Sequence, residues 1–145
     1  MIRKADTQDV AVLAELACRL WPGHTAAQMG EEMAGMLQTD EAAFFLACDG
    51  AEAVGFAQCQ LRHDYVEGTE TSPVGYLEGI FVAETHRHQG IAKTLLAACE
   101  AWAKAQGCTE FASDCELDNA QSLRFHLGVG FTEANRVICF TKRLN

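Results

Sequence analysis

The residues with the clearest chemistry in this chain are Arg87-His88-Gln89-Gly90-Ile91-Ala92. They stand between an apolar run that reads as a strand, residues 76–82, and a run with helical spacing, residues 91–106. A strand feeding a glycine loop that opens a helix is a way to bind phosphate. The first N–H groups of the helix have no partner inside it, and the helix dipole adds positive potential at that end. Gly90 lets the backbone approach an anion with no Cβ in between. Arg87 and Lys93 add positive charge, and His86 and His88 add more when protonated. The spacing is neither Gly-x-Gly-x-x-Gly nor the Gly-Lys-Ser/Thr ending of a P-loop. It is Arg-x-x-Gly-x-Ala, for which an ordinary basic turn before a helix is the other reading.

Four further constellations carry chemistry. Glu78 interrupts the apolar run 76–82, where a charge is costly unless it works or is paired, as with an arginine. Alternation by two puts it on one face with Tyr76, Ile80 and Val82. Asp114 follows a strand read over 110–113, and ligands of open α/β sheets gather at the carboxyl ends of strands. A turn or N-cap aspartate is the competing assignment. On a helical segment read over 119–129, Asn119, Ser122 and His126 precede Gly130-Phe131. His126 is either a proton donor or a packed helix residue. Trp21, His24 and Tyr65 fall on loops, where aromatic rings cover a sugar face or attract an ammonium, or else serve as buried anchors.

The elements that must position these residues alternate between helix and strand. A short strand at Ile2-Arg3 is followed by a helix with Thr7 as N-cap and Val10, Leu13, Ala14, Leu16, Ala17 and Leu20 at helical spacing. Trp21-Pro22-Gly23-His24 breaks it. A second helix is expected over 27–38, strands over 42–48 and 53–63 joined by Asp49-Gly50, and a polar loop over 64–73. In the helix 91–106, Ile91, Leu95, Ala98 and Trp102 make a core stripe, and Gly107 stops it. One or two closing strands are expected over 131–143.

Composition bounds the function. The 145 residues, 49% hydrophobic, suit one domain, 1–145. No apolar run reaches the roughly 18 residues of a membrane span, and the N-terminal residues lack a signal-peptide pattern, so a cytoplasmic protein is expected. The formal charge of −9, from 20 acids and 11 bases, argues against nucleic acid and anionic membrane and suits a cationic substrate. Seven scattered cysteines form no Cys-x-x-Cys and no zinc spacing, so no metal is expected and the thiols read as small hydrophobes.

The Arg87-x-x-Gly90-x-Ala92 loop resembles the acyl-CoA pyrophosphate loop of the GCN5-related N-acetyltransferase (GNAT) superfamily. The Asn119, Ser122, His126, Gly130-Phe131 pattern keeps the spacing of a helix that in these enzymes carries Asn, a small residue, often Tyr, then Gly-Phe. His126 stands in place of the Tyr, which in many members lies near the CoA sulfur in position to protonate the leaving thiolate. Beyond these motifs, Leu20-Trp21-Pro22-Gly23-His24, Arg62-His63-Asp64-Tyr65-Val66, Ser72-Pro73-Val74, Leu77-Glu78-Gly79-Ile80-Phe81-Val82 and Ala112-Ser113-Asp114 look like the aminoglycoside 6′-N-acetyltransferases of Gram-negative bacteria.

The resemblance implies an α/β (α+β) fold of GNAT type. Its mixed, mostly antiparallel sheet splays between central parallel strands, with helices on its flanks. It implies acetyl-CoA as cosubstrate and direct transfer of acetyl to the 6′-amine of an aminoglycoside, conferring resistance. Backbone groups of Ile80, Phe81 and Val82 would pair with pantetheine. Arg87, His88, Gln89, Gly90, Ile91, Ala92 and Lys93 would hold the pyrophosphate, with Asn119 nearby. Glu78 would bind the amine and help remove its proton, and His126 is the candidate acid. Asp114 would grip another amine, and Trp21, His24 and Tyr65 would line the cleft. Asn135 stands where the subfamily often has an acid. Members are frequently homodimers, and Val137-Ile138-Cys139-Phe140 reads as an interface or as an internal strand. An acetyltransferase of another amine, or a non-enzymatic acyl-CoA-binding regulator, are the alternatives.

Overall fold

The computed structural model describes residues 1–145. In chain order the elements are β1 (Ile2–Lys4), a 3-10 turn (Thr7–Asp9), α1 (Val10–Leu20), α2 (Ala26–Leu37), β2 (Ala42–Asp49), β3 (Glu52–Arg62) and β4 (Val74–Val82). A second 3-10 turn (Glu84–His86), α3 (Ile91–Ala105), β5 (Phe111–Ser113) and α4 (Ala120–Gly128) complete the order. One sheet takes the strands as β1-β2-β3-β4-β5. Neighbours run antiparallel except β4 and β5, which are parallel. Parallel strands need a crossover connection, and α3 supplies it. The mixed, mostly antiparallel sheet expected from the sequence is the one that forms.

Local chemistry sets the helix starts. The chain enters α1 through Asp6 rather than Thr7: the Asp6 carboxylate accepts from the Gln8 N–H at 2.8 Å, and Asp9 accepts from the Asp6 N–H at 2.9 Å. Arg3 on β1 forks onto both Asp9 oxygens at 2.8 Å each, tying the first strand to the first helix. That pairing holds the Asp9 carboxyl down at about 2. Thr25 starts α2 through a capping box, accepting from the Gln28 N–H at 3.1 Å while its own N–H reaches Gln28 at 3.0 Å.

Helices cover both sheet faces. On one, Leu13, Leu16, Ala17, Met29 and Met33 of α1 and α2 pack on Phe44, Leu46 and Phe56. On the other, Leu95, Leu96, Cys99, Trp102 and Ala103 of α3 pack on Ala43, Phe45, Ala57, Cys59 and Leu77. Cys59, Cys99 and Cys108 are buried there, the small-hydrophobe role read from the sequence. No helix is long and apolar enough to cross a membrane.

Strand β4 departs from simple alternation. Gln58 pairs with Gly79 but Cys59 pairs with Leu77, so Glu78 is an extra residue opposite no partner: a β-bulge. The parity of the strand reverses there. Upstream, Leu77 faces α3; downstream, Ile80 and Val82 face α3, while Phe81 belongs to the α1 side. The shared face of Tyr76, Glu78, Ile80 and Val82 expected from alternation is therefore corrected. Tyr76 and Glu78 stay together, and Ile80 and Val82 lie across the sheet.

The closing strands expected over 131–143 do not form. Residues 131–145 are neither helix nor strand. A strand exists only beside a neighbour that takes up its N–H and C=O groups, and the edge available, β5, is a short strand. Val137, Ile138, Phe140 and Leu144 are left 66%, 81%, 87% and 87% exposed.

Candidate active site

The site grows from the end of the parallel pair. Pairing between β4 and β5 covers Gly75 with Phe111, Tyr76 with Ala112 and Leu77 with Ser113, and then stops. Strand β4 continues to Val82 with β3 on its other side. Ile80, Phe81 and Val82 thus border an opening where β5 has ended. The ladder ends at Ser113, and Asp114 follows it outside the strand.

On the α1 side of this opening four side chains form one connected group. Arg62, at the end of β3, donates from Nε to Glu78 Oε2 at 2.9 Å and from a terminal nitrogen to Oε1 at 2.8 Å. Its Cζ lies 3.5 Å from the centroid of the Tyr76 ring, a cation–π stack. The Tyr76 hydroxyl donates to Asp114. Burial and the Asp114 carboxylate push the Tyr76 phenol above its ordinary range, so it remains a neutral donor. The Glu78 carboxylate strengthens the hold of Arg62 on its proton. The two candidate acids, Glu78 and Asp114, are brought into one cluster, and Glu78 is both paired with an arginine and set at the opening.

Trp21 reaches the same place. A Cβ on Gly79 would lie 2.5 Å from two atoms of the Trp21 ring, so the indole packs directly over the backbone next to Glu78. Phe56 supports it edge-on, with ring centroids 6.1 Å apart. The other candidates near the substrate side sit on loops. His24 is exposed in the turn between α1 and α2, where its carbonyl accepts from Cys18 Sγ at 3.4 Å. Tyr65 is 75% exposed. Asn135 donates to Glu67 at 2.8 Å, which lays residues 133–136 beside the loop that carries Tyr65. The structure shows no contact that draws His24 into the Glu78 cluster.

Across the sheet lies His126 on α4. Its Nδ1 is 2.7 Å from the Ser122 carbonyl, which can only accept, so that nitrogen carries a proton. Nε2 is 2.8 Å from Ser113 Oγ at the end of β5. Phe131 packs against the ring, with centroids 5.0 Å apart. Both nitrogens are engaged, and the residue pins α4 to the last paired residue of β5.

At the far end of β4, the loop has anion-binding geometry. Gly90 is the N-cap of α3 at φ +79, no side chain caps the first turn, and an added Cβ would meet nothing within 4 Å. The first turn of α3 thus has no side-chain cap on its N–H groups, and Arg87, His88 and Gln89 immediately precede it in the chain. His88 holds a left-handed conformation at φ +62, rare for a residue with a Cβ. Arg87 Nε donates to the Val82 carbonyl at 2.9 Å, folding the loop onto β4. His86 anchors its other end to Asp49 at 3.0 Å. Lys93 is exposed on the first turn of α3. Asn119 caps α4 by accepting from the Ser122 N–H at 3.1 Å. An anionic, phosphate-bearing chain fits this uncapped end, with β4 leading from it to Glu78.

Sequence reasoning passed over Arg62, Tyr76 and Ser113 as functional residues. Tyr76 was within reach, since it precedes Glu78 by two in a strand. Arg62 meets Glu78 only once the β3–β4 register and the bulge are known.

Comparison with known proteins agrees with this geometry. The acetyltransferase (GNAT) family matches residues 10–131. The aminoglycoside N(6′)-acetyltransferase type 1 of Stenotrophomonas maltophilia is 46% identical over 141 residues, 96% of this chain and 90% of that protein. The structure of AAC(6′)-Iy in complex with the bisubstrate analog CoA-S-monomethyl-acetylneamine superimposes with a TM-score of 0.95 at 40% identity, covering 99% of this chain and 98% of that one. AAC(6′)-Iy in complex with CoA gives 0.96 at 40% identity, covering 99% and 95%. The chain belongs to the GNAT acetyltransferase family and, within it, to the aminoglycoside N(6′)-acetyltransferases.

Proposed function

We propose that this chain transfers the acetyl group of acetyl-CoA to the 6′-amine of an aminoglycoside and so confers resistance to it. The observation that carries this reading is the Glu78 carboxylate on a bulge of β4. It stands at the splayed opening, beside Trp21 and within one cluster with Asp114. An aminoglycoside is a polycation with apolar sugar faces, which suits two acids and an indole. The relative solved with a molecule that joins CoA to an acetylated neamine supports the same pair of substrates. The reading takes residues 1–145 as one GNAT domain acting in the cytoplasm.

In this assignment Ile80, Phe81 and Val82 offer backbone groups to the pantetheine arm. Arg87, His88, Gln89, Gly90, Ile91, Ala92 and Lys93 hold the pyrophosphate, and Asn119 lies close by. Glu78 receives the 6′-ammonium and takes its proton, directly or through water. The neutral nitrogen attacks the thioester carbonyl, the extra proton on the acylating nitrogen passes to water, the carbon–sulfur bond breaks, and the thiolate leaves. Positioning supplies most of the acceleration, and proton removal adds about 10²–10⁴-fold. Asp114 binds a second ammonium, and Trp21, His24, Tyr65 and Asn135 border the drug. His126 acts as the acid in its imidazolium form: Nδ1–H stays on the Ser122 carbonyl, Nε2–H passes its proton to the Ser113 hydroxyl, and that hydroxyl gives its own proton to the thiolate.

Assembly as a homodimer is part of the proposal. Apolar side chains as exposed as Ile138 and Phe140 are a liability on a lone chain. A second copy of residues 131–145 is the occupant that accounts for their strand-like sequence.

The test is an acetyl-transfer assay against a 6′-amino drug of the kanamycin or tobramycin type and its 6′-hydroxyl counterpart, with the product located by NMR. The reading requires 6′-N-acetylation of the first and poor turnover of the second. Equal turnover, or a product acetylated elsewhere, overturns it.

A further inference from the structure

The Arg62–Glu78 pair is not a core ion pair. The side chains are 38% and 17% exposed, and pairs of that exposure contribute little to stability. Its geometry is nonetheless highly constrained. The guanidinium grips both carboxylate oxygens, at 2.8 and 2.9 Å, and at the same time its Cζ sits over the Tyr76 ring, 3.5 Å from the centroid. The Tyr76 hydroxyl is itself fixed on Asp114. A carboxylate on a bulge, free of such a grip, rotates among several rotamers. A planar fork stacked on a ring allows it one. The fork uses two of the roughly four acceptor positions of the carboxylate and leaves the others for a donor arriving from the opening. Charge balance is consistent: one arginine against Glu78 and Asp114 leaves the cluster anionic and still attractive to an ammonium.

We infer that Arg62, braced by Tyr76, is a positioning residue for the transfer reaction: it holds the Glu78 carboxylate in the single orientation that meets the incoming amine. This rests on the reading of Glu78 as the acid that receives the amine. Lysine cannot replace Arg62, because a point charge has neither the fork nor the stacking plane.

The experiment is a double-mutant cycle on steady-state acetylation of a 6′-amino aminoglycoside, with Arg62→Gln, Arg62→Lys, Glu78→Gln and the Glu78→Gln/Arg62→Gln double variant. Circular dichroism and thermal unfolding confirm the fold of each. Arg62→Gln is expected to lower kcat about tenfold or more, as a misplaced reacting group does, with a smaller change in KM. Arg62→Lys is expected to recover little of that loss, and it decides the question if the glutamine variant does not fold. The double variant is expected to be no slower than Glu78→Gln alone, because Arg62 acts through Glu78. Losses that multiply, or full recovery by lysine, overturn the inference while leaving Glu78 its role. A Glu78→Gln enzyme with the parent kcat removes the reading of Glu78 and this inference with it.

Discussion

Gly79→Ala adds one methyl group at the most crowded point of the site. The new Cβ would lie 2.5 Å from two Trp21 ring atoms and 3.1 Å from Leu20 Cδ2, against an ordinary contact of 3.4 Å or more. The indole must retreat by about 1 Å, and Phe56 stands edge-on behind it. Overpacking of this kind costs roughly 1–3 kcal/mol, which at this chain length lowers Tm by roughly 3–10 °C. The displaced indole borders the drug in the proposed site, so KM for the aminoglycoside should rise several-fold while KM for acetyl-CoA holds. The measurements are a thermal unfolding curve and separate KM values for the two substrates. Gly35→Ala is the control: its Cβ meets nothing within 4 Å on helix α2, so it should raise stability by roughly 0.5–1 kcal/mol. A Gly79→Ala protein with the parent's Tm and drug KM refutes the packing of Trp21 over β4.

Other outcomes follow from the same geometry. Glu78→Gln should lower kcat at neutral pH and recover in part as pH rises and free amine becomes available, whereas Asp114→Asn should chiefly raise the drug KM; pH–rate profiles of both check this. Gly90→Val should weaken CoA binding by calorimetry with the fold retained, since the N-cap at φ +79 is strained for a β-branched residue while no atom blocks it. Asp9, held at about 2 against an unfolded value near 3.8, contributes at most about 2 kcal/mol, fully present above pH 4 and lost as pH falls toward 2. Asp9→Asn should therefore be less stable than the parent in urea at pH 7 and converge with it near pH 2. Phe140→Asp should give a monomer by light scattering where the parent gives a dimer, and a monomeric parent would end the assembly proposal.

Local signals were legible and non-local ones were not. The Arg87–Gly90 loop could be read because its parts adjoin in sequence, and Glu78 because an acid stands out among Leu77, Ile80 and Phe81. The partner of Glu78 could not be read. Arg62 is sixteen residues away, and the residue facing it across the ladder is Val74. The parity of Ile80 and Val82 was misjudged because alternation carries no mark of an inserted residue. Residues 131–143 have a strand's composition, but composition does not supply the neighbouring strand that their N–H and C=O groups need. Asp6 displaced Thr7 as cap because Arg3 and Asp9 organise that turn through contacts from another strand.

The reversal of parity at Glu78 has a consequence for how this enzyme can change. Upstream and downstream of the bulge, one strand sends consecutive residues to opposite layers in opposite phase. Gly79 and Phe81 therefore belong to the layer packed against Trp21 and α1, and Ile80 and Val82 to the layer beneath α3. Substitutions at these odd positions change the α1-side packing around Trp21 while the packing beneath α3 stays as it is. A one-residue deletion at 78 or 79 has no such freedom. It restores regular pairing with Leu77, Ile80 and Val82 still facing α3, but it removes the extra residue whose place on the bulge sets out the acid. Length changes in this strand should accordingly be confined to the loops at its two ends.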